Sequence, residues 1–262
     1  MTSFTPSGSS KKPTAFSVIN GNNHGAVLFL EKNNKENIPP SFKVVEKFQI
    51  IHEGLKNLNQ DWEIRAKHIE ELATMAHQAS SMGVEALKTF VETFEEYHLI
   101  EDLATQLDDR RSHFCKDACQ CISKLAHSFG QLWEPYARKL MPVFFKMLVV
   151  TIKIIADSAH ECIKSFLQHT VFNVIKSGNC FELIAKGLES QHPSLRTHCA
   201  EYFYVYIQLT SNQDTNWLND SNSSLFEASL LKITNDATEK VRCFAKKIFG
   251  VYKINFPSKA EE

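Results

Sequence analysis

From Ser41 onward, apolar residues recur at three- and four-residue spacing, the pattern of helices that bury one face, and polar breaks interrupt them at intervals. Val44, Phe48, Ile51, Leu55 and Leu58 form the first stripe; after the break Asn59-Gln60-Asp61, Ile64, Ile69, Leu72 and Met75 form the second. Asp61 stands where an N-cap is wanted, because its carboxylate can accept from the free amides of the next helical turn. Four further pairs follow. Leu87, Phe90, Val91 and Phe94 precede Phe114, Ala118, Ile122 and Leu125; a stretch from Pro135 through Phe144 and Leu148 precedes one from Lys153 through Ile163, Phe166 and Leu167. Phe172 to Leu188 then pairs, across His192-Pro193, with Leu195, Cys199, Phe203 and Tyr206. An Asn-rich polar loop from Asn212 to Ser224 separates the fifth pair, in which Leu225, Leu230 and Ile233 precede Val241, Phe244, Ala245, Ile248 and Tyr252. No alternating strand pattern competes. The expected fold is all-α, a HEAT/armadillo-type α-solenoid of helical pairs roughly 40 to 50 residues apart.

Residues 1–40 have a different texture, rich in Ser, Thr, Asn, Pro and Gly, with one short apolar patch from Ala26 to Leu30. That is too little apolar surface to offset ordering entropy, so a disordered N-terminal tail is expected before a repeat domain over 41–262. The domain is long enough to bury a sizeable core. In the tail, Lys35-Glu36-Asn37 followed by Pro39 and Pro40 resembles a KEN-type degron read by the mitotic ubiquitin ligase.

Basic residues recur at the start of each unit's second helix: Arg65, Arg111 with Lys116, Lys153, Arg196, and Lys240 with Arg242. Stacked units bring the same turn of each out along one edge, so these cations, opened by Trp62, would form a long ridge, the shape of a binding edge rather than an active site. Formal net charge is only −1, so the chain as a whole is no polyanion binder, and any cationic surface is local. Seven cysteines, odd in number and without framework spacing, suit a reducing compartment. Cys115 and Cys119 share a helix face, Cys121 points elsewhere, and no second Cys or His pair at zinc-finger spacing completes a site; buried free thiols are expected, and no metal or cofactor. His160, near Asp157 and Glu161, reads as helix surface. No nucleophile setting or Gly-rich phosphate loop is present, so no enzymatic activity is expected. The densest apolar run, Leu140 to Val150, is short and holds Pro142 and Lys146, and no apolar stretch follows the first lysines; neither a membrane span nor a signal peptide is expected, and the protein reads as cytosolic.

The turns also carry a family resemblance. Asp61-Trp62-Glu63-Ile64-Arg65, Asp109-Arg110-Arg111-Ser112 leading to Lys116-Asp117-Ala118-Cys119, Ile152-Lys153-Ile154 and Ser194-Leu195-Arg196 resemble the inter-helix turns of a TOG domain of the CLASP family, over roughly Asn59 to Tyr252. The resemblance implies a paddle of five to six helical pairs whose narrow edge engages αβ-tubulin or microtubules. Trp62 would take the aromatic contact of the first turn, beside Arg65; Arg111 and Ser112 match the second turn, Lys153 the third, Arg196 the fourth, and Lys240 or Arg242 the fifth. A place in the cytoplasmic cytoskeleton, at spindle or cilium, goes with this; a lone paddle is expected to need another microtubule-associated protein to recruit it, and no nucleic-acid or membrane partner is expected. The alternative is a HEAT scaffold that has lost tubulin binding.

Structural roles compete for some of these positions. An apolar residue followed by Arg, as in Leu195-Arg196 and Val241-Arg242, is also how HEAT units link through Asp partners, and Asp236 lies just upstream of the latter. Trp62 can equally close the first hairpin. Lys153 has the weakest structural reason, since it interrupts Val149, Val150, Ile152, Ile154 and Ile155. TOG domains usually add a sixth pair, whereas about ten residues follow Tyr252, so the last unit is expected to expose apolar surface. A single paddle is expected to bind weakly without linked modules.

Overall fold

Pro40 opens the first helix, where its missing amide is harmless and its fixed φ suits the turn, and α1 runs Pro40–Lys56. The computed structural model describes residues 40–261 apart from 110, 178 and 212–219. The tail to residue 39, with Lys35, Glu36 and Asn37, lies outside the described residues, as does most of the Asn-rich loop. Asp61 caps α2 (Trp62–Met82), its carboxylate accepting from the Glu63 amide at 3.0 Å. Gly83, at φ 114°, makes the turn into α3 (Val84–Glu96) in a conformation that side chains rarely adopt. The remaining helices are α4 (Leu99–Gln106), α5 (Ser112–Phe129), α6 (Glu134–Met147) after a 3₁₀ turn, α7 (Lys153–Ser177), α8 (Asn179–Gly187), α9 (Pro193–Ser211), α10 (Asp220–Thr234) and α11 (Glu239–Asn255).

The helices form two layers. α2, α5, α7, α9 and α11 pack each on the next, and α4, α6, α8 and α10 do the same on the opposite side. A continuous apolar cluster from Phe48 to Tyr252 fills the space between, with Phe94, Phe129, Trp133 and Tyr136 in edge-on and tilted ring contacts where the second and third units meet. Among the described residues there is no strand, and the architecture is the all-α solenoid that the periodicity predicts.

Three details depart from the sequence reading. The first helix of the fourth pair begins at Asn179 rather than near Phe172, because the preceding helix α7 continues to Ser177. α4 is an extra helix between Phe94 and Asp109, set off from α3 by His98 at φ 53°, and it buries Leu99, Ile100 and Leu103. Leu58 and Ile64, read as core, are exposed on either side of the first turn. At the last unit Leu231, Phe249 and Ile254 are exposed. Among the described residues no helix is long and apolar enough to cross a membrane.

Candidate functional site

The inter-helix turns share one local device. A short polar side chain accepts from the amide two residues on: Asp61 from Glu63 at 3.0 Å, Asp109 from Arg111 at 2.9 Å, Ser190 from His192 at 3.1 Å, Asp236 from Thr238 at 2.7 Å. In two of them the same aspartate also receives an arginine from the preceding unit, so the cap doubles as a joint.

Arg65 makes the first such joint. Its Nη2 donates to Asp109 Oδ2 at 2.7 Å, its Nη1 donates to Gln106 Oε1, and its guanidinium lies 4.6 Å over the Phe114 ring. Gln106 is itself fully buried and donates to the carbonyls of Leu55 and Asp102, which ties the end of α1 to α4. With only 3 % of its surface exposed, Arg65 belongs to the interior and does not stand on the ridge. Ile64-Arg65 is the same apolar-Arg pair as Leu195-Arg196, the signal by which sequence reading could have found this role.

Arg196 makes the second joint, with Nε 2.7 Å from Asp236 Oδ2, Nη2 3.3 Å from both Asp236 Oδ1 and Thr238 Oγ1, and Nη1 on the carbonyls of Ser190 and Gln191. Arg242 donates to the carbonyls of Asp236 and Ala237 at 2.7 and 2.8 Å, satisfying the turn after α10. Burial would raise the Asp109 carboxyl. Hydrogen bonds from the Arg65 side chain and the Arg111 amide, with the charges of both guanidiniums, outweigh it and hold the group below the usual range. Asp236 is lowered in the same way: burial opposes, while hydrogen bonds from Arg196 and Thr238 prevail.

The other predicted edge residues remain available. Arg111 has 58 % of its side chain exposed, with Nη1 3.4 Å from Asp109 Oδ1. Ser112, the first residue of α5, is half-buried, and Trp62 is half-buried against the core. Lys153 and Lys240 are exposed, and neither makes an ion pair among the described residues. The third turn is the exception to this device: among the described residues no side chain there accepts from the amide two residues on. Around Lys153 it exposes Val150 (40 %), Ile152 (47 %) and Ile154 (44 %) instead. A groove of about 740 Å³ runs across the first three turns, lined by Leu58, Arg65, Asp109, Arg111, Val150 and Ile155 among others.

The three clustered cysteines are buried thiols, and two of them bond to backbone, Cys115 Sγ donating to Asp109 O at 2.9 Å and Cys121 Sγ to Ile69 O at 3.0 Å. Burial, then the nearby Asp109 and Asp108, push the Cys115 thiol up to about 11, so it stays protonated and inert. His160 is not the surface residue that its neighbours suggested. Only 16 % of its side chain is exposed, and it contacts α9.

A two-layer helical solenoid with mostly capped, partly cationic turns defines a helical-repeat protein. Residues 44–262 match the family described as CLASP N terminal, and the chain belongs to that family. It is 29% identical over 163 residues to a CLIP-associated protein of Arabidopsis thaliana, covering 62% of this chain and 11% of that protein. It is 22% identical over 218 residues to CLIP-associating protein 1-B of Xenopus laevis, covering 83% and 14%, and 25% identical over 236 residues to an uncharacterized protein of Dictyostelium discoideum, covering 88% and 27%. The chain thus spans between about a tenth and a quarter of the length of these curated relatives. Among solved structures it superposes on a chain from a study of microtubule plus end tracking by XMAP215, CLIP-170 and EB1 (TM-score 0.59, 17% identity, 80% of each chain). It also superposes on the MAST/Orbit N-terminal domain (TM-score 0.54, 14% identity, 80% and 84% covered). At these identities the structural likeness speaks for the fold alone.

Proposed function

We propose that this protein is a non-enzymatic tubulin- or microtubule-binding adaptor that presents the first three turns of its paddle to αβ-tubulin and regulates microtubule dynamics or organisation with a partner, in the cytoplasmic cytoskeleton. The carrying observation is the third turn, where an unpaired Lys153 sits among exposed Val150, Ile152 and Ile154 beside a groove shared with turns one and two. A soluble fold rarely leaves four such residues at one uncapped turn without a partner surface to cover them. The aliphatic side chains supply the desolvated anchor, and Lys153 and Arg111 supply attraction to an acidic partner. Family membership supports the reading, and the relatives are named for association with CLIP proteins.

A scaffold that no longer binds tubulin is the second reading. It is favoured by the fact that Arg65, Arg196 and Arg242, three of the row's cations, are engaged within the fold. Co-sedimentation and gel filtration with free αβ-tubulin at low salt separate the two. Wild type co-elutes with tubulin, and Trp62→Ala with Lys153→Ala loses the complex. Because Trp62 touches the core, the surface pair Ile152→Ser with Lys153→Glu serves as the second variant. Absence of wild-type binding at low salt would sink the tubulin reading and leave the scaffold.

A further inference from the structure

The joints between the first two units and between the last two are each tied by a turn-borne arginine and aspartate, Arg65 to Asp109 and Arg196 to Asp236. Where α7 meets α9 no such tie exists among the described residues, and polar groups gather partway along the helices instead. His160 of α7 and His198 of α9 place their ring centroids 4.6 Å apart. Glu201 lies one turn after His198, with Oε1 3.7 Å from His160 Nε2. One ring nitrogen of each histidine and a carboxylate oxygen of Glu201 all lie within 4.8 Å of one another. We propose that His160, His198 and Glu201 bind a divalent transition-metal ion of the zinc type that fastens α7 to α9, with water in the fourth position.

Tetrahedral zinc, with nitrogen and oxygen donors about 2.0–2.2 Å away, sets its ligand atoms about 3.4 Å apart. The His160–Glu201 separation, 3.7 Å, is already close to that, and since all three lie within 4.8 Å, side-chain rotation has at most about 1.4 Å to close. The supporting shell is present. His160 Nδ1 lies 2.9 Å from Tyr202 Oη, so with Nε2 given to the ion Nδ1 keeps its proton and donates it to the phenol oxygen, which fixes the ring's tautomer and direction. His198 Nδ1 is buried without a hydrogen-bond partner, an unmet polar atom of the kind folded proteins otherwise avoid. Two imidazoles with one carboxylate select zinc-like ions over calcium or magnesium, which want oxygen alone. Lys164 Nζ, 3.7 Å from Glu201 Oε1, competes for the carboxylate, and Glu161 at 3.8 Å can take it up when the ion enters.

The full chain, stripped with a chelator and desalted, is titrated with Zn²⁺ against a chromogenic competitor, and with Co²⁺ for its spectrum. Wild type takes up one equivalent. Glu201→Gln and His198→Gln each weaken binding at least tenfold, while Cys243→Ser and His127→Gln leave it unchanged. Co²⁺ shows tetrahedral d–d bands without thiolate charge transfer. At about a hundredfold excess over Kd, Zn²⁺ raises the wild-type unfolding midpoint by about 5 °C and leaves that of Glu201→Gln in place. No saturable uptake by wild type, uptake indifferent to Glu201→Gln, or a thiolate spectrum overturns the proposal. Should His198→Gln fail to fold, the half-buried Glu201→Gln decides it.

Discussion

Arg65 and Arg111 reach the same carboxylate from opposite sides, Arg65 Nη2 to Asp109 Oδ2 at 2.7 Å and Arg111 Nη1 to Oδ1 at 3.4 Å, yet they answer to different physics. The first pair is largely buried, with Arg65 Nη1 and Nη2 both hydrogen-bonded though Nε has no partner, and removing one member strands a charge. The second is solvated and screened. Arg65→Ala is therefore expected to cost about 3 kcal/mol of unfolding free energy, and Arg111→Ala less than about 0.5 kcal/mol. Urea denaturation of both variants checks this, and similar losses would show the division to be wrong. Asp109 and Asp236 titrate lower in the folded chain than in the unfolded one, so the stability they contribute is present above the unfolded value of about 4 and is lost as pH falls through their folded values. Asp109→Asn with Asp236→Asn is expected to lower the thermal midpoint at pH 7 and to flatten the acid limb below about pH 4 relative to wild type. The sequence shows these arginines as basic residues at helix starts. Which of them face inward depends on an aspartate about forty residues away, a partner that local spacing does not name.

Third-turn chemistry is legible in the chain as Lys153 interrupting an aliphatic run. Most of it is surface because α7 begins at Lys153 and turns only Ile155 and the next apolar positions inward. The uncapped start has a testable consequence. Ile152→Asp would give α7 the side-chain cap that Asp61 gives α2, worth about 1 kcal/mol, while removing an aliphatic contact and adding a negative charge. A raised thermal midpoint together with weakened tubulin binding is the expected outcome. Loss of stability would mean that Ile152 has a structural role, and unchanged binding would move the contact off the third turn. The α3–α4 break and the start of α8 escaped the pattern for a related reason. Apolar spacing continues through both; a left-handed His98 sets the first boundary, and the second falls late because α7 runs on to Ser177.

For the molecule as a whole, a formal net charge of −1 means that attraction to an acidic partner comes from the edge alone. Raising ionic strength from about 0.05 to 0.3 M is expected to slow tubulin association at least several-fold while changing dissociation little, since exposed charges act mainly on encounter and are screened within about 10 Å. Stopped-flow fluorescence measures both rates, and a salt-independent association rate would argue against a cationic edge. The zinc-type site lies outside this reading and was invisible to local motifs, because His160 and His198 are far apart in sequence and only His198 with Glu201 share a helix. Helix periodicity, the paired repeat, the capping residues and the family resemblance are all local properties, carried by spacings of three, four and about forty positions, and they could be read along the chain. The assignment of each polar side chain is not local. It follows from which helix stacks on which, and that packing turned Arg65 and Arg196 into joints, drew His160 inward against Tyr202, and left Lys153 facing solvent.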